Sequence, residues 1–311
     1  MSLIILLLVL VVERTALQGP SWRIHPYLSW YCQRARSYVA ERKFEPFAWL
    51  IMLATPAILV GLILMLIDST LVDFIVSLLV LGVVVGNKEL RTLYRQYLNA
   101  KSRGDVEGQY ILANDIAEFG EKPQVQLEQD SVEKEPEIED SESQQNEVVD
   151  DRLEEKARER SLGEALIWHN FKYYAAPIFY FVLFGVPGVI FYCTLLYVTE
   201  RKEYLDILKP RDCSDVEVVI RQWLEWAFWL PARLVSLGYM FVGHFSNGLE
   251  TWLKKAVNMS VNSKQVLTSV ALASEANSEY FVAEEMVSLA KRNMVLFLVV
   301  VALLTLYGQI I

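Results

Sequence analysis

The sequence predicts an all-α, polytopic helical membrane protein with re-entrant or broken helices and a cytoplasmic helical portion. Three observations carry this: long apolar runs, Lys and Arg clustered beside their ends, and acidity confined to one polar stretch. Phe47–Ile67, FAWLIMLATPAILVGLILMLI, carries no charge over 21 positions. Crossing the ~30 Å hydrocarbon core takes about 20 apolar residues in a helix, so this run is long enough. Leu71–Gly86 follows after Asp68-Ser69-Thr70, with one charge, Asp73, near its start. The two runs predict a tight helical hairpin over 47–86. Met294–Ile311, MVLFLVVVALLTLYGQII, is a third strong span.

Three weaker segments remain. Leu3–Val12 is apolar but short and runs into Glu13-Arg14. No basic residue precedes it and no small-x-small site follows, so a cleaved signal peptide is not expected. Tyr173–Val198 is apolar and aromatic, interrupted at Val186-Pro187-Gly188, and Trp223–Gly243 carries Glu225 and Arg233 on either side of Pro231. Broken helices with polar residues occur where membrane backbone lines a cavity or packs on protein. These two segments are full spans or re-entrant halves.

Orientation follows from Lys and Arg near the span ends. Arg14, Arg23, Arg34, Arg36, Arg42 and Lys43 precede the hairpin. Lys88, Arg91, Arg95, Lys101 and Arg103 follow it, and Lys291-Arg292 precede the last span. This places 14–46 and 87–172 in the cytoplasm and the C-terminus in the periplasm. The five basic residues in 199–222 conflict with six simple spans, a conflict that re-entrant segments remove.

Between the membrane portions, 87–120 reads as helix, because Leu90, Leu93, Tyr94, Tyr97 and Leu98 recur at three- and four-residue spacing. Residues 118–160 hold 16 acidic and 6 basic residues against a net charge of −9 for the whole chain. The acidity belongs to this segment alone. Its Glu/Gln/Ser-rich part, 121–160, has too little apolar content to bury a core. It predicts a disordered cytoplasmic loop, helical again from Arg152. Residues 264–290 predict amphipathic helices leading into the last span. The chain thus divides into 1–120, 121–160 and 161–311.

Catalytic signatures are few. Cys32, Cys193 and Cys213 form no C-x-x-C pair, and His25, His169 and His244 form no metal-spaced pair. No metal site is expected. There is no P-loop, no G-x-S-x-G, and no basic stripe that would suit nucleic acid. What stands out is charge inside apolar segments. Intramembrane ionisable residues mark functional sites by default. Arg233 has two readings: an anion-binding group beside Pro231, or a structural lock paired with Glu13 or Glu225. Glu164, Trp168 and Phe171 share a helical face with His169 and Asn170 turned aside, which suggests an aromatic belt at the membrane surface rather than a ligand box.

Five stretches carry a family likeness. MSLIILLLVLVVER (1–14), YLNAKSRGD (97–105), ALIWHNFKYYAAPIFYFVLFGVPG (165–188), WAFWLPARLVSLGYMFVGH (226–244) and SLAKRNMVLFLVVVALLTLYG (288–308) resemble, in order, the AmpE family of membrane proteins associated with β-lactamase induction. That family in turn resembles the CobD/CbiB membrane proteins, which use ATP to join cobyric acid to an aminopropanol. The shared marks are His25-Pro26, Ser102-Arg103-Gly104-Asp105, Glu164, Asn170, Ala176-Pro177-Ile178-Phe179-Tyr180, Pro187-Gly188 and Leu230-Pro231-Ala232-Arg233. The chain departs from the synthases at Leu195–Tyr204 and at Phe171-Lys172-Tyr173, so the scaffold is kept and the synthase activity lost or changed.

The resemblance implies an inner-membrane regulatory protein that modulates β-lactamase induction according to cell-wall status. It also implies a small anionic or cell-wall-derived ligand and cell-wall recycling proteins as partners beside the lipid bilayer. The ligand-binding candidates are His25, Arg91, Ser102, Arg103, Asp105, Glu164, Asn170, Arg233, Lys291 and Arg292. The alternatives are an amide-forming ligase or transferase using ATP and Mg2+, or a structural partner of a cell-wall enzyme or transporter.

Overall fold

The computed structural model describes residues 2–14, 25–39, 46–119, 143–200, 215–258, 261–275 and 283–307. Among them only helices and their connecting turns occur, as the sequence predicts. The first four helices are α1 (Ser2–Arg14), α2 (His25–Val39), α3 (Pro46–Ile67) and α4 (Thr70–Val84). The α3–α4 hairpin turns at Asp68, whose φ of 44° is left-handed. Aspartate is one of the few residues that tolerate this conformation, since its short polar side chain bonds locally. Met65 and Leu66 at the end of α3 are almost fully exposed, as lipid-facing residues are.

Beyond Gly86, Asn87 caps α5 (Lys88–Arg103) by accepting from the Glu89 and Leu90 amides at 3.0 and 3.3 Å. The expected single helix over 87–120 is two helices. Gly104 ends α5 in a left-handed cap, and Asp105 opens α6 (Val106–Ala117) by accepting from the Gly108 amide at 2.9 Å. Apolar spacing continues through both, which is why periodicity alone does not show the break. The expected disordered stretch also ends early. Residues 120–142 lie outside the described residues, but α7 (Ser143–Asn170) begins well before Arg152. Its first half is rich in Glu, Gln, Arg and Lys, which are good helix formers. Its second half gains tertiary support, because Lys101 holds Glu159 at 2.8 Å and Arg158 lies over Tyr110 at 4.9 Å.

The rest of the chain is a π-helical turn, Phe171–Ala175, followed by α8 (Ala176–Glu200), α9 (Asp215–Val242), α10 (Phe245–Ala256), α11 (Ser263–Ser274) and α12 (Ala283–Leu306). By length and composition, Trp49–Ile67, Ala283–Leu306 and the continuous Glu155–Glu200 stretch are each apolar enough to cross a membrane. The last of these does not run straight. At Gly185 the backbone takes φ 65° and ψ −153°, a region essentially reserved for glycine. The chain reverses there. Lys172 and Glu200, which 28 residues of straight helix would hold about 42 Å apart, meet at 2.5 Å. Tyr180 on the first arm stacks on Tyr192 of the second, with centroids 5.1 Å apart.

Each arm between that pair and Gly185 is about 20 Å long at 1.5 Å per residue, short of the ~30 Å core. Pro187 at the tip packs against Gly61 of α3, about 9 Å before that helix ends. The segment 173–198 is therefore a helical hairpin whose two arms return to the same end.

α9 and α10 form a second antiparallel pair turning at Gly243-His244. Trp252 Nε1 donates to Ser236 Oγ at 3.1 Å and Arg233 Nε to the Ala256 carbonyl at 2.8 Å. The core joins these layers, with Phe171, Tyr192, Ile178, Leu196, Phe228, Tyr239 and Leu289 all buried.

Candidate functional site

The polar centre of the molecule is the π-helical turn. A π turn bonds i to i+5 and shifts the helical ladder by one residue, so carbonyls around it lose their usual partners. Here two of them are recovered from other elements. Tyr192 Oη donates to the Lys172 carbonyl at 2.9 Å, and the Gly86 amide to the Tyr173 carbonyl at 3.0 Å. Gly86 has φ 92°, and a Cβ there would fall 2.6 Å from Glu13 Oε1. Glycine is thus required both by conformation and by the close approach of α1.

Two ion pairs flank the turn, one buried and one partly exposed. On one side Lys172 Nζ holds Glu200 Oε1 at 2.5 Å, and Tyr173 Oη donates to Glu200 Oε2 at 3.0 Å. Both charged side chains are nearly fully buried. Lys172 also sits 5.8 Å from the centre of the Trp168 ring and 5.5 Å from that of Tyr173. On the other side Tyr174 Oη donates to Glu13 Oε1 at 2.6 Å. Arg91 grips the same residue twice, with Nη2 at 3.1 Å from Oε1 and Nη1 donating to the Glu13 carbonyl at 3.1 Å. Adjacent tyrosines of one turn thus hold carboxylates from opposite parts of the chain.

His169, one turn earlier, is buried and lies 2.8 Å from the Ile116 carbonyl through Nε2. A carbonyl only accepts, so Nε2 carries the proton and Nδ1 is left as a buried acceptor without a partner. Arg91 Nε is a buried donor in the same condition, although 30% of the arginine side chain remains exposed.

The predicted residues meet this centre unevenly. Glu13 and Arg91 are both in it, paired with each other. Asn170 is half-buried immediately before the turn. Arg233 joins neither Glu13 nor Glu225. Its Nε, Nη1 and Nη2 donate to the carbonyls of Ala256, Trp229 and Asn258, and its guanidinium lies 4.4 Å over the Trp229 ring. It therefore caps the C-terminal carbonyls of α10, where a cation is favoured. Glu225 hydrogen-bonds Ser263 instead.

Ser102, Arg103 and Asp105 lie exposed at the α5–α6 turn, Ser102 bonded to the Asn99 carbonyl. Glu164 accepts from Arg160 one turn away. Lys291 is exposed, and Arg292 bonds Glu275 and the Val242 carbonyl. His25 is the first residue of α2. Trp168 and Phe171 do not form a surface belt. Both are buried, and they stack on each other and pack edge-on against Phe228 at 5.1 and 5.5 Å.

Sequence reasoning missed Lys172, Tyr173, Tyr174 and Glu200. The available signal was a lysine among aromatics with a glutamate almost equally far beyond the Gly185 break.

The carboxylates of the matched blocks do not converge: Glu13 is held by Arg91 and Tyr174, Asp105 caps α6 and Glu164 accepts from Arg160. Among the described residues no three His, Cys, Asp or Glu gather. A cleft of about 290 Å³ lies between α5, α6 and α7, lined by Tyr97, Gln109, Arg158 and Glu159 among others, away from the ion pairs.

The family model described as regulatory signalling modulator protein AmpE matches residues 1–140 and 144–311. The chain belongs to the AmpE family. Protein AmpE of Shigella flexneri is 25% identical over 320 residues, covering 100% of both chains. No solved structure matches. This AmpE-family chain is thus a multi-pass inner-membrane protein with a regulatory role.

Proposed function

We propose that this AmpE-family protein modulates β-lactamase induction in response to cell-wall status by binding a small anionic ligand at Arg91. The acidic segment and α5–α7 face the cytoplasm, in keeping with the Lys and Arg of 14–46 and 87–103. The observation that carries the ligand reading is the state of Arg91: partly exposed, engaged through both Nη atoms to Glu13, with Nε unpaired. Arginine suits planar bidentate recognition of carboxylate or phosphate. An anion arriving at Arg91 competes with the Glu13 carboxylate. Because Glu13 is also held by Tyr174, that exchange is felt at the π-helical turn and passes to both α7 and the 173–198 hairpin.

The test is a charge reversal. Glu13→Arg with Arg91→Glu restores an ion pair, so the protein should insert and unfold like the native one. Its β-lactamase induction by a β-lactam should fall to that of a strain lacking the gene. Induction at the native level in this double variant would reduce Glu13–Arg91 to a structural lock and overturn the reading.

A further inference from the structure

α9 buries one stripe through Ile220, Leu224, Phe228, Ala232, Val235 and Tyr239. Such a helix on a water-facing surface would show polar residues on its other side. From Trp226 to the end of α9 the exposed positions are Trp226, Leu230, Leu234 and Phe241, all apolar. The polar groups of this stretch turn inward instead, with Arg233 on the α10 carbonyls and Ser236 bonded to Trp252. The stripe continues onto Phe245 of α10, whose ring lies 5.7 Å from that of Phe241.

Its depth is fixed by the first hairpin. Tyr180, about 12 Å along the arm from Lys172, donates to the Ala227 carbonyl at 2.8 Å, so the stripe starts level with the interior of that arm. The tip of that arm exposes Leu183 and Phe184, an apolar surface continuous with the lipid-facing spans. Charges stand beside the stripe at Arg221, at the Glu250–Lys254 pair and at Arg292, which donates to the Val242 carbonyl next to Phe241. Aromatic residues bounded by charge in this way suit the acyl–headgroup boundary.

We propose that the Trp226–Leu230–Leu234–Phe241 face of α9, with Phe245 of α10, lies against lipid acyl chains, making α9–α10 a second membrane-inserted hairpin beside the first. The partner is the bilayer itself and not another protein.

The test reconstitutes the full chain in phosphatidylcholine–phosphatidylglycerol vesicles, with and without lipids brominated on their acyl chains. Trp226 is 65% and Phe241 67% exposed, so they bracket the face. The fluorescence component lost in Trp226→Phe, and the component gained in Phe241→Trp, should each drop at least about twofold in brominated lipid, as for side chains buried in the acyl boundary. Neither should respond to aqueous acrylamide. Quenching by acrylamide without quenching by bromine would place the face in water. Protection from both would place it under protein, for instance a second copy. Either result overturns the proposal.

Discussion

Replacing Glu200 by alanine is expected to lower stability by about 3–5 kcal/mol, the cost of leaving a buried charge without its partner. Lys172 cannot rotate to water from its position among Trp168, Tyr173 and the second arm of α8, because its side chain is only 4% exposed. Lys172→Ala should cost a similar amount by stranding the Glu200 carboxylate. Replacing both, as Lys172→Met with Glu200→Leu, should recover most of the loss, since well-packed apolar residues commonly equal or better a buried ion pair. Denaturant unfolding of purified protein in detergent checks all three. Single variants of native stability would mean that the pair is not closed and dry as described. The double variant also separates roles: if it folds yet fails in β-lactamase induction, the charges serve regulation rather than folding.

The second large effect is expected at the hairpin tip. Gly185→Ala forces a side chain into φ 65°, ψ −153°, at a cost of about 1–3 kcal/mol. The strain has a local readout. Cys193 is buried on the second arm, where burial of a thiol suppresses its reactivity. If the arms separate, Cys193 becomes accessible. Mass spectrometry after brief maleimide treatment should show faster modification of Cys193 in the Gly185→Ala protein than in the native one, with Cys32 on α2 unchanged. Equal protection of Cys193 in both, together with unchanged stability, would show that the chain does not reverse at Gly185.

The strong spans were legible because a bilayer demands length and apolarity, and Phe47–Ile67 supplies both without a single charge. The two interrupted segments were legible as anomalies, through Pro187, Pro231 and their unbalanced flanking charge. The form of the first was not, because its reversal depends on one glycine dihedral, which composition does not encode, and the second runs unbroken through Pro231. The site was legible only in halves. Glu13 and Arg91 each stood out, but 78 residues separate the hydrogen-bonded pair, and no local pattern links them. Arg233 stands out for its charge and reads either as an anion-binding group or as the partner of Glu13 or Glu225, whereas its acceptors are backbone carbonyls. Carbonyls are present at every residue and leave no mark in a sequence. Trp168 and Phe171 read as a membrane belt because aromatics favour interfaces and packed cores alike. Only the position of Phe228 decides between them.

The most direct test of the account is the side of the membrane on which the chain emerges after the 173–198 hairpin. Alkaline phosphatase, which is active only in the periplasm, and a fluorescent protein that matures in the cytoplasm are fused in turn after Asp140 and after Ile207. A hairpin that enters and leaves on one face predicts the same result at both points: no phosphatase activity and bright fluorescence. Phosphatase activity at Ile207 with none at Asp140 would mean that 173–198 crosses the bilayer as a single span, and would contradict the fold on which the Lys172–Glu200 pair depends.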